Sequence, residues 1–146
     1  SGVKVFGMEN WWGNLWRRTA GWIVENGVQK VKITRGTHDG STTNDYNITG
    51  NGYKSIAGAT PSGTNGGYIS SMKNENFGRL PVVASGSATT FESDGLYFNV
   101  SGVFYAFVGG YWNNPLVVGP FFAYLTYAAS TATADYGAAL SCKPLA

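Results

Sequence analysis

Apolar and polar positions change rhythm several times along this chain, and each change predicts an element. Val3 to Phe6 alternates Val-Lys-Val-Phe, which predicts a short opening strand. Trp12, Leu15, Trp16 and Thr19 then recur at helical spacing. Asn10 has the chemistry of an N-cap, Arg17-Arg18 suit a C-terminal dipole and Gly21 offers a stop. This stretch therefore predicts a short Trp-rich helix, with Trp12, Leu15 and Trp16 plugged against a sheet. Trp22-Ile23-Val24 and Val28 to Ile33 flank Asn26-Gly27, the strongest short hairpin signal.

From Gly36 to Gly67 the rhythm disappears, and a segment this long predicts ordered loops pinned by Tyr46, Ile48, Tyr53 and Ile56. Tyr68 to Met72 reads as a brief strand or turn. A β-rich half follows, with strands expected at Arg79–Ala84, Leu96–Val100, Val103–Val108, Phe121–Ala128 and Ala138–Lys143.

The terminal run from Gly102 to Cys142 is the most unusual. It holds five of the nine Tyr and only one charged residue, Asp135. Between Tyr111 and Ser141 there is no Lys, Arg, Glu, Gln or Met. Two readings fit: a strand pair buried on both faces, or a display surface of Tyr, Asn and Thr, the mixture that binding loops use. Asn113-Asn114-Pro115 and Ser130 to Asp135 are too polar for core, so part of the run faces water.

Composition narrows the class. The 146 residues suit a single domain, 1–146, with a real core. Only 12% of the chain is charged, while 21 glycines and 15% aromatics favour a β- and loop-rich fold over a helical bundle. The net charge of +2 is scattered, with no basic stripe, which argues against nucleic acid. Cys142 is the only cysteine, so no intrachain disulfide forms. The longest apolar run, Pro115 to Ala129, is broken by Gly119 and Pro120 and is too short for a membrane helix. No signal peptide is read, and Ser1-Gly2 reads as a cloning remnant ahead of a domain from a longer protein.

Two motifs carry a family resemblance. The stretch GMENWWGNLW resembles a signature of C-type-lectin-like domains in phage tail and prophage structural proteins. The ending GGYWNN…GPFFAYL…AAS…YGAALS is similar to that of variable proteins of diversity-generating retroelements, which share the C-type-lectin-like fold. The resemblance implies an α+β chain with small twisted antiparallel sheets, a short Trp-rich helix and long ordered loops. In that family a retroelement replaces template adenines, mostly in Asn codons, an exchange that cannot yield Lys, Glu, Gln or Met.

Carried over by position, the resemblance implies a scaffold of Gly109, Gly110, Trp112, Gly119, Phe121, Leu125, Ala128, Ala129, Ser130, Gly137 and Leu140. It implies a variable, ligand-binding set of Tyr111, Asn113, Asn114, Leu116, Val117, Phe122, Tyr124, Thr126, Tyr127, Thr131, Thr133 and Asp135. Pro115 and Ala139 depart from the family pattern, where Gly and Arg are frequent. Pro120, Ala123 and Tyr136 fit either set.

Rival chemistries lack residues. Formylglycine-generating enzymes share a related helix motif but need a cysteine pair for copper, and only Cys142 is present. Calcium lectins need a carboxylate-bearing Pro loop, and Asn114-Pro115 has no acidic partner. Glu92-Ser93-Asp94-Gly95 reads as a solvated turn, and His38-Asp39 as a surface turn without a nucleophile. Glu9 reads as a group that orients backbone or a neighbouring Trp.

The expected function is a metal- and cofactor-independent receptor-binding module with a hypervariable surface, not an enzyme. It is expected on a phage or prophage tail, or on a bacterial cell surface, facing a host protein or glycan receptor. No membrane insertion is expected, and a trimer is possible in the full-length protein. The alternatives are a bacterial surface-displayed variable protein and a structural tail-tip domain without diversified binding.

Overall fold

The computed structural model describes residues 4–5, 8–9, 12–32, 52–56, 66–76, 78–89, 94–113, 118–128, 130–131, 133 and 136–137. These form twelve strands: β1 (Lys4–Val5), β2 (Met8–Glu9), β3 (Trp16–Glu25), β4 (Val28–Val31), β5 (Lys54–Ser55), β6 (Gly66–Tyr68), β7 (Ser71–Glu75), β8 (Gly78–Val83), β9 (Gly95–Phe98), β10 (Val103–Val108), β11 (Ala123–Tyr127) and β12 (Tyr136–Gly137). One eight-stranded sheet runs β5-β4-β3-β10-β11-β9-β6, with β12 also against β3. β3 is long enough that β4 takes one end of its edge, at Trp22–Glu25, and β12 the other, at Trp16 and Arg17. The β9–β11 and β3–β12 pairs are parallel and the other pairs are antiparallel, so the sheet is mixed. β7 pairs with β8, and β1 with β2, as separate two-stranded ribbons.

The described residues contain no helix, which corrects the α+β, C-type-lectin-like expectation: this part of the chain is all-β. The expected Trp-rich helix is instead the entry into β3. Its spacing misled for a physical reason. β3 pairs with β10 through Tyr105↔Ile23 and then Phe107↔Arg18, so β3 holds three more residues than its partner between these points. The irregularity reverses the inside–outside phase of the strand. Trp16 and Ile23, seven residues apart, therefore share one face, as they would on a helix. Thr19 Oγ1 fastens the irregular stretch by donating to the Ala106 carbonyl at 2.9 Å. Trp16 is buried as expected, whereas Trp12 is half-buried and Leu15 is 36% exposed.

The hairpin expected at Asn26-Gly27 is present. Both residues have positive φ, 48° and 78°, the requirement of a two-residue turn whose twist matches its strands. Asn26 also clasps the β9–β10 turn: its N–H donates to the Gly102 carbonyl at 2.8 Å, and Gly102 N–H donates to Asn26 Oδ1 at 3.0 Å.

The main sheet is apolar on both faces. One face presents Val24, Leu96, Phe98, Ala106, Ala123 and Leu125, packed with Ile69 and Ala84 and with half-buried Met72 on β7. A satellite cluster of Val31, Ile56, Leu80 and Val82 continues this layer. Gln29, fully buried, spans the gap: it accepts from Trp22 Nε1 at 2.9 Å and donates through Nε2 to the Pro81 carbonyl at 2.7 Å. Both amide ends are thereby satisfied, as burial of a polar group demands. The opposite face is aromatic.

Candidate ligand-binding surface

Strand register builds the aromatic face. Arg18 pairs with Phe107, Phe107 with Tyr124, and Tyr124 with Tyr97, which sets one row across four neighbouring strands, β3, β10, β11 and β9. Directly paired residues point to the same side of a sheet, and at ordinary strand spacing this row spans about 14 Å. A second row, Ile23–Tyr105–Tyr127, lies beside it. A one-residue shift between β10 and β11 keeps Tyr124 and Tyr127, three apart in sequence, on the same face.

The rings touch. Tyr97–Tyr124 centroids are 5.7 Å apart, Tyr124–Tyr127 5.0 Å and Trp16–Tyr124 5.1 Å, and Phe107 meets Tyr127 edge-on at 5.6 Å. Such spacing leaves no slot between rings, so the cluster offers only its outer side for contact. Arg18 lays its guanidinium 4.7 Å from the Tyr105 centroid and 5.9 Å from that of Phe107, adding cation–π attraction. Burial pushes the Tyr105 phenol above its usual 10.0, and the Arg18 charge partly offsets this.

Glycine makes room for the pavement. A Cβ at Gly66, the residue paired with Tyr97, would strike the Tyr97 ring and the Leu96 carbonyl. Tyr97 thus lies over bare backbone, in the manner of an aromatic ring covering an edge glycine. A Cβ at Gly95 would meet both Phe122 and Tyr97.

Of the twelve residues expected to bind, Tyr111, Tyr124 and Tyr127 belong to this one cluster and are half-buried. Thr126 and Thr131 are half-buried, and Asn113 and Thr133 are exposed. Asn114, Leu116, Val117 and Asp135 lie outside the described residues. Phe122 requires correction: it is 1% exposed, packed 4.8 Å from Trp16 and 6.0 Å from Tyr97, and it supports the surface from below. Three expected scaffold residues move the other way: Phe121 is 38% and Trp112 70% exposed, and Ser130 is exposed as well. Leu125, Gly109, Gly110 and Gly119 are buried as a scaffold should be.

Tyr97 and Arg18 were not singled out for this surface from sequence, and neither was Phe107, which is fully buried and supports it from below as Phe122 does. Asp94, read as part of a solvated turn, instead accepts the Phe121 N–H at 2.7 Å and lies against Gly119. Among the described residues no three His, Cys, Asp or Glu side chains group as metal ligands. His38, Asp39, Glu92 and Cys142 lie outside the described residues. Comparison with protein-family models, curated proteins and solved structures finds no match to this chain.

Proposed function

We propose that this chain is a receptor-binding module whose binding surface combines the aromatic face of the sheet with the turn at 109–113. The observation that carries the reading is the continuous pavement of half-buried Tyr97, Tyr111, Tyr124 and Tyr127 around Trp16. Clustered rigid aromatics with polar tips give large contact area at low entropic cost, and a sheet holds them in register. The terminal segment also resembles retroelement-diversified variable proteins in residue chemistry, and this resemblance supports reading the module as part of a phage or prophage tail that faces a host-surface protein or glycan. The fold implied by that resemblance is not the one found, so surface chemistry carries the reading.

A display library tests it. Asn113, Tyr124, Thr126, Tyr127, Thr131 and Thr133 are randomised together and selected against a purified protein that the parent does not bind. Target-specific clones that melt close to the parent support a scaffold with a separable binding surface. A library whose members are mostly unfolded, or one that yields no specific clone, refutes it.

A further inference from the structure

We propose that Trp112 is the stacking platform of a carbohydrate subsite at the end of the sheet where the turns 12–15, 109–113 and 118–121 meet. The proposal rests on the binding-module reading and names the ligand class for one part of it.

Trp112 is the most exposed of the large apolar side chains described, yet its backbone is fixed. Its N–H donates to the Asn14 carbonyl at 3.0 Å, Asn14 forms a parallel bridge with Tyr111, and Gly13 N–H donates to the Gly109 carbonyl at 2.8 Å. Val118 wedges the third turn between the other two: Cβ atoms built on Gly13 and Gly110 would lie 3.7 Å and 2.8 Å from its methyl groups. The indole meets Tyr111 edge-to-face at 6.3 Å and 82°, and Tyr111 in turn stacks on buried Trp16 at 6.2 Å and 28°. A chain of rings therefore braces an indole whose remaining surface is open to solvent. A ring already fixed in place loses little freedom on binding.

The surroundings choose the ligand. The three turns contribute no charged side chain. Their exposed polar groups include the amides of Asn14 and Asn113, and the Asp94 carboxylate against Gly119 is bonded to Phe121 N–H. Phosphate, nucleic acid and anionic lipid surfaces call for cations that these turns lack. A pyranose presents an apolar C–H face and a rim of hydroxyls that both donate and accept. An open indole face receives the first. Primary amides, with two donors and an acceptor oxygen, match the second.

The full chain, 15N-labelled, is titrated with methyl β-D-glucopyranoside, methyl β-D-galactopyranoside, methyl α-D-mannopyranoside and N-acetylglucosamine while its five tryptophan indole N–H signals are followed. The Trp112 signal, assigned by its loss in Trp112→Tyr, should move saturably with at least one sugar. Trp112→Ala should weaken that sugar by about tenfold or more, as expected for a central aromatic contact. Trp112→Tyr should retain most of the affinity, and Val100→Ser, at the far end of the sheet, all of it. A Trp112 signal unmoved by all four sugars, or affinity that survives Trp112→Ala, overturns the proposal. So does broadening of this signal by phosphatidylcholine vesicles without a response to sugar, which would make the end of the sheet a lipid contact. Selectable binders on the sheet face alongside a failed sugar titration would remove this inference alone.

Discussion

Phe121 and Phe122 are neighbours in sequence with opposite surroundings, and truncating each to Ala separates scaffold from surface. Phe122 is 1% exposed and packs on Trp16 and Tyr97. Truncating a buried Phe costs about 3–5 kcal/mol, rising with the cavity that remains. Here the cavity is poorly closed, because the ring lies over two glycines: Cβ atoms on Gly95 and Gly110 would approach it to 2.5 Å and 2.9 Å. No side chain at either position can lean into the gap, so Phe122→Ala belongs in the upper half of that range. At this chain length a loss of about 4 kcal/mol lowers Tm by about 8–16 °C. That is a large share of a typical total stability of about 5–15 kcal/mol. Phe121, 38% exposed, is held through its backbone N–H on Asp94, which truncation leaves in place. Phe121→Ala should cost about 1 kcal/mol or less. Urea denaturation followed by circular dichroism, with thermal melts in parallel, measures both. A Phe122→Ala chain within about 1 kcal/mol of the parent, or a Phe121→Ala chain that loses more than Phe122→Ala, would refute the assignment of these rings.

Gly119→Ala should lower Tm clearly, because its Cβ would collide with the Asp94 carboxylate and break the hydrogen bond to Phe121 N–H. Combined with Asp94→Ala it should cost less than the sum of the two single changes, and strict additivity in the double-mutant cycle would contradict this contact. Gln29→Leu should destabilise through the orphaned Trp22 indole and Pro81 carbonyl, each worth about 1–3 kcal/mol, and unchanged urea midpoints would argue against the bridge. Tyr105 should titrate above free tyrosine, read as the ultraviolet difference between the parent and Tyr105→Phe. Its raised folded value means the neutral phenol is favoured, so this contribution to stability is complete below the unfolded pKa near 10.0 and is lost as pH rises through the folded value. Arg18→Ala should raise it further, and a lowered value would reverse the assigned roles of burial and charge.

Sequence legibility followed local regularity. The Asn26-Gly27 hairpin was readable because a two-residue turn is dictated by its own residues. Val103–Val108 was readable because its side chains keep a strict two-residue period, with Val103, Tyr105 and Phe107 on one face and Phe104 and Ala106 on the other. β3 was misread because its phase depends on how many residues it places opposite β10, a partner far along the chain. The tyrosine chemistry of the terminal run pointed to one face, where Tyr111, Tyr124 and Tyr127 do gather. Which of two adjacent phenylalanines turns inward was not written locally: it depends on the glycines at positions 95 and 110 that leave space for Phe122. Trp112 was assigned to the scaffold only by position in the resemblance, and the fixed backbone of its turn instead holds its side chain 70% exposed.

The place of β3 in the sheet has a consequence for biosynthesis. Glu25 and its partner Val103 are 78 residues apart in the chain. At translation rates of about 5–20 residues per second, the β3–β4 hairpin waits about 4–16 s for the strand that completes it. During that interval it is a strand ribbon with an open edge and the apolar sequence Trp22-Ile23-Val24, the kind of segment that pairs with the wrong chain. Arg17 and Arg18 sit on that same strand and put two positive charges beside the waiting edge, so nascent copies repel one another before β10 arrives. Replacing both with threonine, which suits a strand but carries no charge, should cost the purified protein only the Arg18 cation–π contacts, about 1 kcal/mol, while diverting newly made chains into aggregates. Soluble yield during expression should therefore fall by more than equilibrium stability does.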